Sequence, residues 1–456
     1  MMDLATAARD VHGRISGVNV AFARVTSDSR TLEPGDLFVA LAGPRFDGHD
    51  YVAQAIGDGA VAAMVSAARA PSLHGNLIVV DDTLAALGRM AAAWRMRFAL
   101  PLALVVGSNG KTTVKEMTSA ALGAHFGADA VLATRGNLNN AIGLPLTLLR
   151  LREAHRAAVV ELGMNHRGET GELGRLAAPT IVVVNNAQRE HQEFMRSVAD
   201  VAAEHADAIL TLPRYGVAVV NGDDAHADAW RTAALRAGAI VVAFGTRRDA
   251  DVRAEVTLHA DRSTLELSTP AGSAELTLAA PGRPMAQNAL AACAAALAAG
   301  ADLAAVVRGL EAFRPLAGRL ASLPAGSGAL VIDDSYNANP DSVRAAIDVL
   351  ARARGERWLA LGDMGEAGDQ GPAFHREVGE YARIAGVERL YTAGALAKGS
   401  ATAFGRGAQH FDDVAALADA LAGEAHAGVT VLVKGSRFMQ MERVVAALVG
   451  GPEENH

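Results

Sequence analysis

The sequence predicts an α/β protein of three domains: a small α/β N-terminal domain (1–97), a central phosphate-loop domain with a parallel sheet and an antiparallel β extension (98–315), and a C-terminal doubly wound, Rossmann-like domain (316–456). Three observations carry this. An apolar run, Leu102–Val106, breaks into the glycine loop Gly107–Thr113 (GSNGKTT) and then a helical pattern. Residues 251–280 switch to strict apolar–polar alternation. Beyond 316, apolar runs end repeatedly in polar loops followed by helices. The length of 456 residues also suits about three domains.

In the first unit, Val25–Arg30 (VTSDSR) follows a short strand pattern, and Asp36–Ala42, Ala60–Ser66 and Asn76–Asp81 read as strands. Val52–Asp58 and Thr83–Arg97 read as helices, the second capped by Asp82 or Thr83. Between them, Gly43–Tyr51 (GPRFDGHDY) is polar and carries Arg45, Asp47 and His49. No apolar periodicity explains these residues, so the loop is either a solvated turn or a ligand contact.

The second unit opens with the glycine loop. Strand, glycines, lysine, hydroxyl and helix form an anion cradle. The backbone N–H groups of Gly107, Ser108, Asn109 and Gly110 face a phosphate, Lys111 adds a positive charge, and Thr112, followed by Thr113, offers an oxygen to Mg²⁺. The spacing is G-x-x-G-K-T-T; Val105 stands where the longer form of the motif has glycine. Ala133–Thr147 is too polar for a core, and its Arg135, Asn137, Asn139 and Asn140 suit either plain turns or a phosphate or peptide ligand. The strand Ala157–Val160 ends at Glu161, a carboxylate placed to serve Mg²⁺, and Thr180–Val184 ends at Asn185, Asn186 and, shortly after, His191. Three alternating stretches within 252–279 form a meander, Gln287–Ala299 is a helix starting near Asn288, and Gly318 and Arg319 lie on a loop after a second helix. In the third unit, strands ending at Ile332, Leu361 and Val433 deliver Asp334, Tyr336, Asn337, Asn339 and Pro340 in one loop and Lys434, Ser436 and Arg437 in another.

The bulk numbers exclude several classes. A net charge of −8, from 42 basic and 50 acidic residues, argues against a nucleic-acid partner held by bulk electrostatics. Cys293, the single cysteine, reads as a small buried apolar residue. The first ten residues have no apolar signal core, and the longest apolar stretch, Ala286–Val307, is interrupted by polar residues. A cytoplasmic protein without membrane insertion is expected, and a monomer.

Taken in order, these loops resemble the Mur ligase family of cell-wall biosynthesis over nearly the whole chain. GSNGKTT, ELGMNHRGE from Glu161, NNAQREHQEF with His191, QNALAA with Asn288, AGRL with Arg319, DDSYNANPDS from Asp333, LGDMGE from Leu361 and KGSR from Lys434 carry the likeness. TRGNLNNAIGLPLTLL, ELGMNHRGE and DSYNANPDS are similar to the branch that adds D-alanyl-D-alanine.

The resemblance implies ATP and Mg²⁺ as cofactors, and UDP-N-acetylmuramoyl-tripeptide and D-Ala-D-Ala as substrates. An acyl phosphate would be the intermediate. It implies that Lys111, Glu161, His191 and Arg319 are catalytic. Thr112 and Glu161 would serve one Mg²⁺ and His191 a second. Asn288, Asp334, Tyr336 and Asn337 would hold adenine and ribose. Ser29, Arg45 and His49 would face the UDP end, Asn137, Asn139 and Asn140 the muramoyl peptide, and Lys434 and Arg437 the incoming dipeptide.

Two departures stand out. Relatives often carry a carbamoylated lysine downstream of the histidine, where this chain reads ADVAAEHADAIL. His205 falls at that position, and its neighbour Glu204 is expected to supply the missing charge to the metal. Pro284 replaces a histidine common in relatives. A different class of reading, a nucleotide-regulated switch protein, would need only the second unit.

Overall fold

The computed structural model describes residues 1–190 and 193–450. Three sheets organise the chain. The first runs, in spatial order, through Arg14–Ser16, Leu77–Val80, Ala62–Ser66, Asp36–Val39 and Arg24–Thr26. Only the Arg14–Ser16 pairing is antiparallel. The helix Thr83–Arg95 leads out of it, with the Asp82 carboxylate accepting from the amides of Leu84 and Ala85. Its last turn fastens this sheet to the next. The Trp94 indole donates to the Leu151 carbonyl at 3.1 Å, and the Arg95 guanidinium donates to the carbonyls of Ala177 and Ala178 at 3.2 and 3.3 Å. One apolar core runs without a break from Leu37 and Met64 to Val160 and Val182.

The central sheet has nine strands in the order Gly272–Leu278, Ser263–Thr269, Val252–Leu258, Ile240–Gly245, Val217–Asn221, Ile181–Val184, Leu102–Val106, Ala157–Glu161, Val131–Ala133. The last seven named are parallel, and the two pairings of the meander at the other end are antiparallel. The inner strands Val217–Asn221, Ile181–Val184, Leu102–Val106 and Ala157–Glu161 are buried on both faces almost throughout, which is why they read as continuous apolar runs. In the meander, Leu265, Leu267, Leu276 and Leu278 turn inward while Glu266 and Glu275 stay exposed. Leu102–Val106 lies between Ile181–Val184 and Ala157–Glu161, both parallel to it, so the order of strand addition reverses around it and the loops after all three strands meet at one edge.

The helix Lys111–Phe126 that follows the glycine loop packs against Arg283–Ala298 and Leu303–Ala312. Arg283–Ala298 begins before the expected Asn288, because Pro284 sits in the first helical turn, where a missing N–H costs nothing. Buried Ala286, Ala289, Ala291, Ala292, Ala294, Ala295 and Ala296 form most of its contact surface. At Gly309 an added Cβ would stand 2.5 Å from the Ala120 carbonyl oxygen. Cys293 lies within this packing, where burial pushes its thiol up to about 12.

The third sheet runs Ala321–Pro324, Leu330–Asp334, Val429–Lys434, Glu356–Leu361, Arg389–Ala393, Ala408–Phe411, parallel except for the first strand. Its register sets Asp334 and Leu361 beside Lys434, at the carboxyl ends of three adjacent strands. That edge faces the glycine loop of the central sheet. Among the described residues no helix is long and apolar enough to cross a membrane.

Candidate active site

Gly107 and Gly110 have φ of +142° and +80°. A Cβ on Gly110 would fall 2.4 Å from Asn288 Oδ1, and one on Gly107 would fall 2.9 Å from Asn185 Cβ. Both positions therefore need glycine for conformation and for space. Neighbouring asparagines brace the loop. Asn185 Nδ2 donates to the Asn109 carbonyl and to Asn288 Oδ1, both at 2.8 Å. Asn186 Nδ2 donates to that same carbonyl at 3.0 Å, and its Oδ1 accepts from the Asn109 amide at 2.8 Å. Ser108 Oγ accepts from the Gln188 amide at 2.9 Å. Lys111 Nζ folds back onto the carbonyls of Gly107 at 2.5 Å and Ser108 at 3.2 Å, with Glu190 Oε2 at 3.5 Å.

Across the edge, Glu161 is 3% exposed. Its amide donates to Thr134 Oγ1 at 2.9 Å, and its Oε1 accepts from Asn139 Nδ2 at 2.7 Å. Its Oε2 is buried and has no hydrogen-bond partner among the described residues. A carboxyl oxygen held this way, with the buried Thr112 lining the same cleft, suits a hard cation.

The cleft measures about 1110 Å³ and joins two sheets. Lys111, Thr112, Asn137, Asn139, Glu161 and Asn288 line the central wall; Arg319, Asp334, Tyr336, Asn337, Lys434 and Arg437 line the C-terminal wall. The Arg319 guanidinium stacks over Tyr336 at 4.2 Å from the ring centre. Lys434 Nζ donates to Asp334 Oδ2 at 2.5 Å and to the Asn337 carbonyl at 2.8 Å. Burial pushes the Asp334 carboxyl up, and the Lys434 ammonium pulls against that.

Several expected residues have other partners. Glu204 does not reach the loop. Its carboxylate accepts from the amides of Gly168 and Thr170 at 2.9–3.0 Å, at the start of the helix Glu169–Ala177. In this structure its carboxylate acts as a helix cap, not as part of the cleft lining. The next residue, His205, is the one whose Nε2 lies 3.5 Å from Glu190 Oε1. His49 is buried, with Nδ1 2.6 Å from Asp47 Oδ1 and Nε2 accepting from the Ser66 amide at 2.9 Å. It fixes the loop fold and presents no free nitrogen to a nucleotide. Asn140 Oδ1 accepts from the amides of Ile142 and Gly143, closing a turn before the short helix Gly143–Leu148. Lys434, tied to Asp334, braces the C-terminal loop. Ser29 is half-buried and Arg45 exposed, neither of them lining the cleft. His191 lies outside the described residues.

Glu190, Arg189, Gln188 and Asn339, which the sequence reading passed over as site residues or did not weigh, sit at the junction of the two walls. For the first three the signal available was a run of polar residues, QRE, separated by three residues from a strand end.

Glu204→Ala is expected to leave three backbone donations without their acceptor and to lower stability by about 1–2 kcal/mol. Thermal unfolding checks this. A change confined to Mg²⁺ dependence, with an unchanged melting temperature, would return Glu204 to the metal.

A glycine loop, a half-satisfied carboxylate and a second α/β domain closing over both define the class: a phosphate-loop enzyme built on three α/β domains. Family models described as Mur ligase family, catalytic domain, Mur ligase middle domain, and Mur ligase, glutamate ligase domain match residues 22–95, 105–296 and 318–437. The chain is 40% identical to the UDP-N-acetylmuramoyl-tripeptide–D-alanyl-D-alanine ligase of Escherichia coli (strain K12), over 96% of both chains. It is 34% identical to the protein of the same name from Bacillus subtilis (strain 168), over 94% of this chain and 93% of that one. The crystal structure of MurF from Acinetobacter baumannii superposes with a TM-score of 0.91, at 32% identity and 98% and 99% coverage. MurF from Thermotoga maritima in complex with ADP superposes at 0.79, with 25% identity and 93% and 96% coverage. This chain belongs to the Mur ligase family.

Proposed function

We propose that the protein joins D-alanyl-D-alanine to UDP-N-acetylmuramoyl-tripeptide with ATP, releasing ADP and phosphate. The observation that carries this reading is that Lys111 and the open oxygen of Glu161 belong to one cleft whose other wall is a separate domain. The names of the full-length relatives supply the substrates. The three units then divide the work: the N-terminal one holds the UDP end, the central one the triphosphate, and the C-terminal one the nucleoside and dipeptide.

The chemistry brings two anions together, a peptide carboxylate and a terminal phosphate. The amides of the glycine loop and the Lys111 ammonium take up phosphate charge, and Arg319, poised over Tyr336, adds a second cation from the facing wall. Thr112 and Glu161 would hold Mg²⁺, which supplies further neutralisation of phosphate charge. Attack by the carboxylate gives an acyl phosphate. The dipeptide amine then displaces phosphate to form the amide. An acyl phosphate is lost to water unless the cleft is closed, which gives the C-terminal wall its purpose. Asn137 and Asn139 are placed to orient the muramoyl peptide, and Arg437, beside Tyr336 at 5.7 Å, the dipeptide. We place the protein in the cytoplasm as a monomer.

Phosphate release from ATP tests the reading. It is expected only when both UDP-N-acetylmuramoyl-tripeptide and D-Ala-D-Ala are present, assayed with meso-diaminopimelate and lysine tripeptides side by side. Release that ignores either acceptor refutes it.

A further inference from the structure

We propose that Arg189 is a positioning residue: the clasp that seats the C-terminal domain on the phosphate loop and so sets the distance between the two walls of the cleft. It stands in the loop after Ile181–Val184, and among the described residues its charged partners, Asp341 and Glu377, belong to the other domain. The Arg189 amide donates to Asp341 Oδ2 at 2.9 Å, Nε to both Asp341 oxygens at 3.0 and 3.1 Å, and Nη2 to Asp341 Oδ1 at 2.5 Å. Nη1 and Nη2 reach Glu377 at 2.7 and 3.0 Å. The guanidinium also covers the Phe374 ring at 5.1 Å. Only a planar fork with five donors can serve two carboxylates and a ring face together; a lysine could not.

The placement of these partners gives the clasp leverage. Asp341 lies in the first turn of the helix Pro340–Leu350, where unpaired amides already favour a carboxylate. The residue capping that helix, Asn339, interlocks with Asn109 of the phosphate loop: each amide nitrogen donates to the other's oxygen, at 2.9 and 3.3 Å. One helix start therefore touches the phosphate loop through Asn339 and the adjacent loop through Asp341. On either side of Arg189, Gln188 Oε1 accepts from Asn109 Nδ2 at 2.5 Å and Glu190 stands beside Lys111. A shift of the C-terminal domain is thus transmitted to the segment that flanks the lysine.

Charge balance points the same way. Arg189 holds the Glu377 carboxyl below the usual range, and Arg344 shares Glu377 at 2.9 Å. Without Arg189, Glu377 keeps Arg344 of its own domain, and among the described residues no ion pair is left joining these two carboxylates to the central domain. The kinetic part of the test rests on the proposed ligase reading; the distance part does not.

The test is a mutant cycle, Arg189→Ala, Asp341→Asn with Glu377→Gln, and all three together, in the full chain. Distances are read by pulsed dipolar spectroscopy between spin labels at Leu235→Cys and Ile384→Cys, both 74% exposed in the native chain, while Cys293 is buried and does not compete. With ADP and Mg²⁺ bound, the parent is expected to give one narrow distance, and each partner-removing variant a broader and longer distribution. kcat should fall about tenfold in each, KM for ATP should stay within about threefold, and the triple variant should be no worse than Arg189→Ala. Unchanged distances in Arg189→Ala, or fully additive losses in the triple variant, would overturn the clasp. If no variant and no parent shows acceptor-dependent turnover, the ligase reading falls, while the distances still decide the clasp.

Discussion

Lys111→Ala is expected to remove turnover, by on the order of 10³-fold in kcat, while the protein still folds. Lys111 is the only lysine or arginine within the glycine loop and its first helical turn, Gly107–Val114. Its Nζ rests on two loop carbonyls with the Glu190 carboxylate 3.5 Å away, contacts that a phosphate in the loop can replace. The fold does not depend on it: the loop is braced by Asn185, Asn186 and Asn288. The loss of stability should therefore be no more than about 1 kcal/mol. Phosphate release with both acceptors present, alongside a thermal melt, separates the two effects. An active variant would mean that charge neutralisation comes from elsewhere; a collapsed one would mean that the lysine is structural.

Glu161→Gln is expected to lower kcat on the order of 10²-fold and to move the Mg²⁺ requirement to higher concentration. The substitution keeps shape and removes charge. The hydrogen bond from Asn139 can survive, because the glutamine carbonyl still accepts. The open Oε2 is the atom that changes meaning: as an amide nitrogen it donates and repels a cation. Stability should rise or stay level, since a buried, half-satisfied carboxylate is costly to the folded state. A Mg²⁺ titration of turnover checks the shift, and a Mn²⁺ titration read by electron paramagnetic resonance checks affinity without turnover. Equal Mg²⁺ dependence in both proteins would detach Glu161 from the metal.

Most of the architecture could be read along the chain because parallel strands buried on both faces leave continuous apolar runs, and each run here ends at a glycine or polar cluster. Gly107, Glu161, Asn185 and Asp334 were found that way. Pro284 misled, since proline looks like a break yet suits the first turn of Arg283–Ala298. Glu204 and His205 show a different limit. Adjacent residues on a helix point about 100° apart, so one reaches Glu190 and the other the amides of Gly168 and Thr170. Counting along the chain cannot choose between them without knowing the rotation of the helix. His49 and Lys434 show the last: their partners, Ser66 and Asp334, are brought to them by folding, and a polar residue in a ligand-type loop looks the same whether it meets a substrate or its own backbone.

The alanine surface of Arg283–Ala298 and the missing Cβ at Gly309 decide where this enzyme can vary. Helices that touch backbone to backbone have no side-chain slack, so any enlargement at Gly309 must displace the helix that begins at Lys111, and enlargement at the fully buried Ala289 or Ala292 must displace whatever packs on them. An inhibitor gripping the central wall would therefore meet a target with few viable escape substitutions. One relying on the C-terminal wall would instead depend on the seating of that domain, which rests on a few side-chain ion pairs and amides.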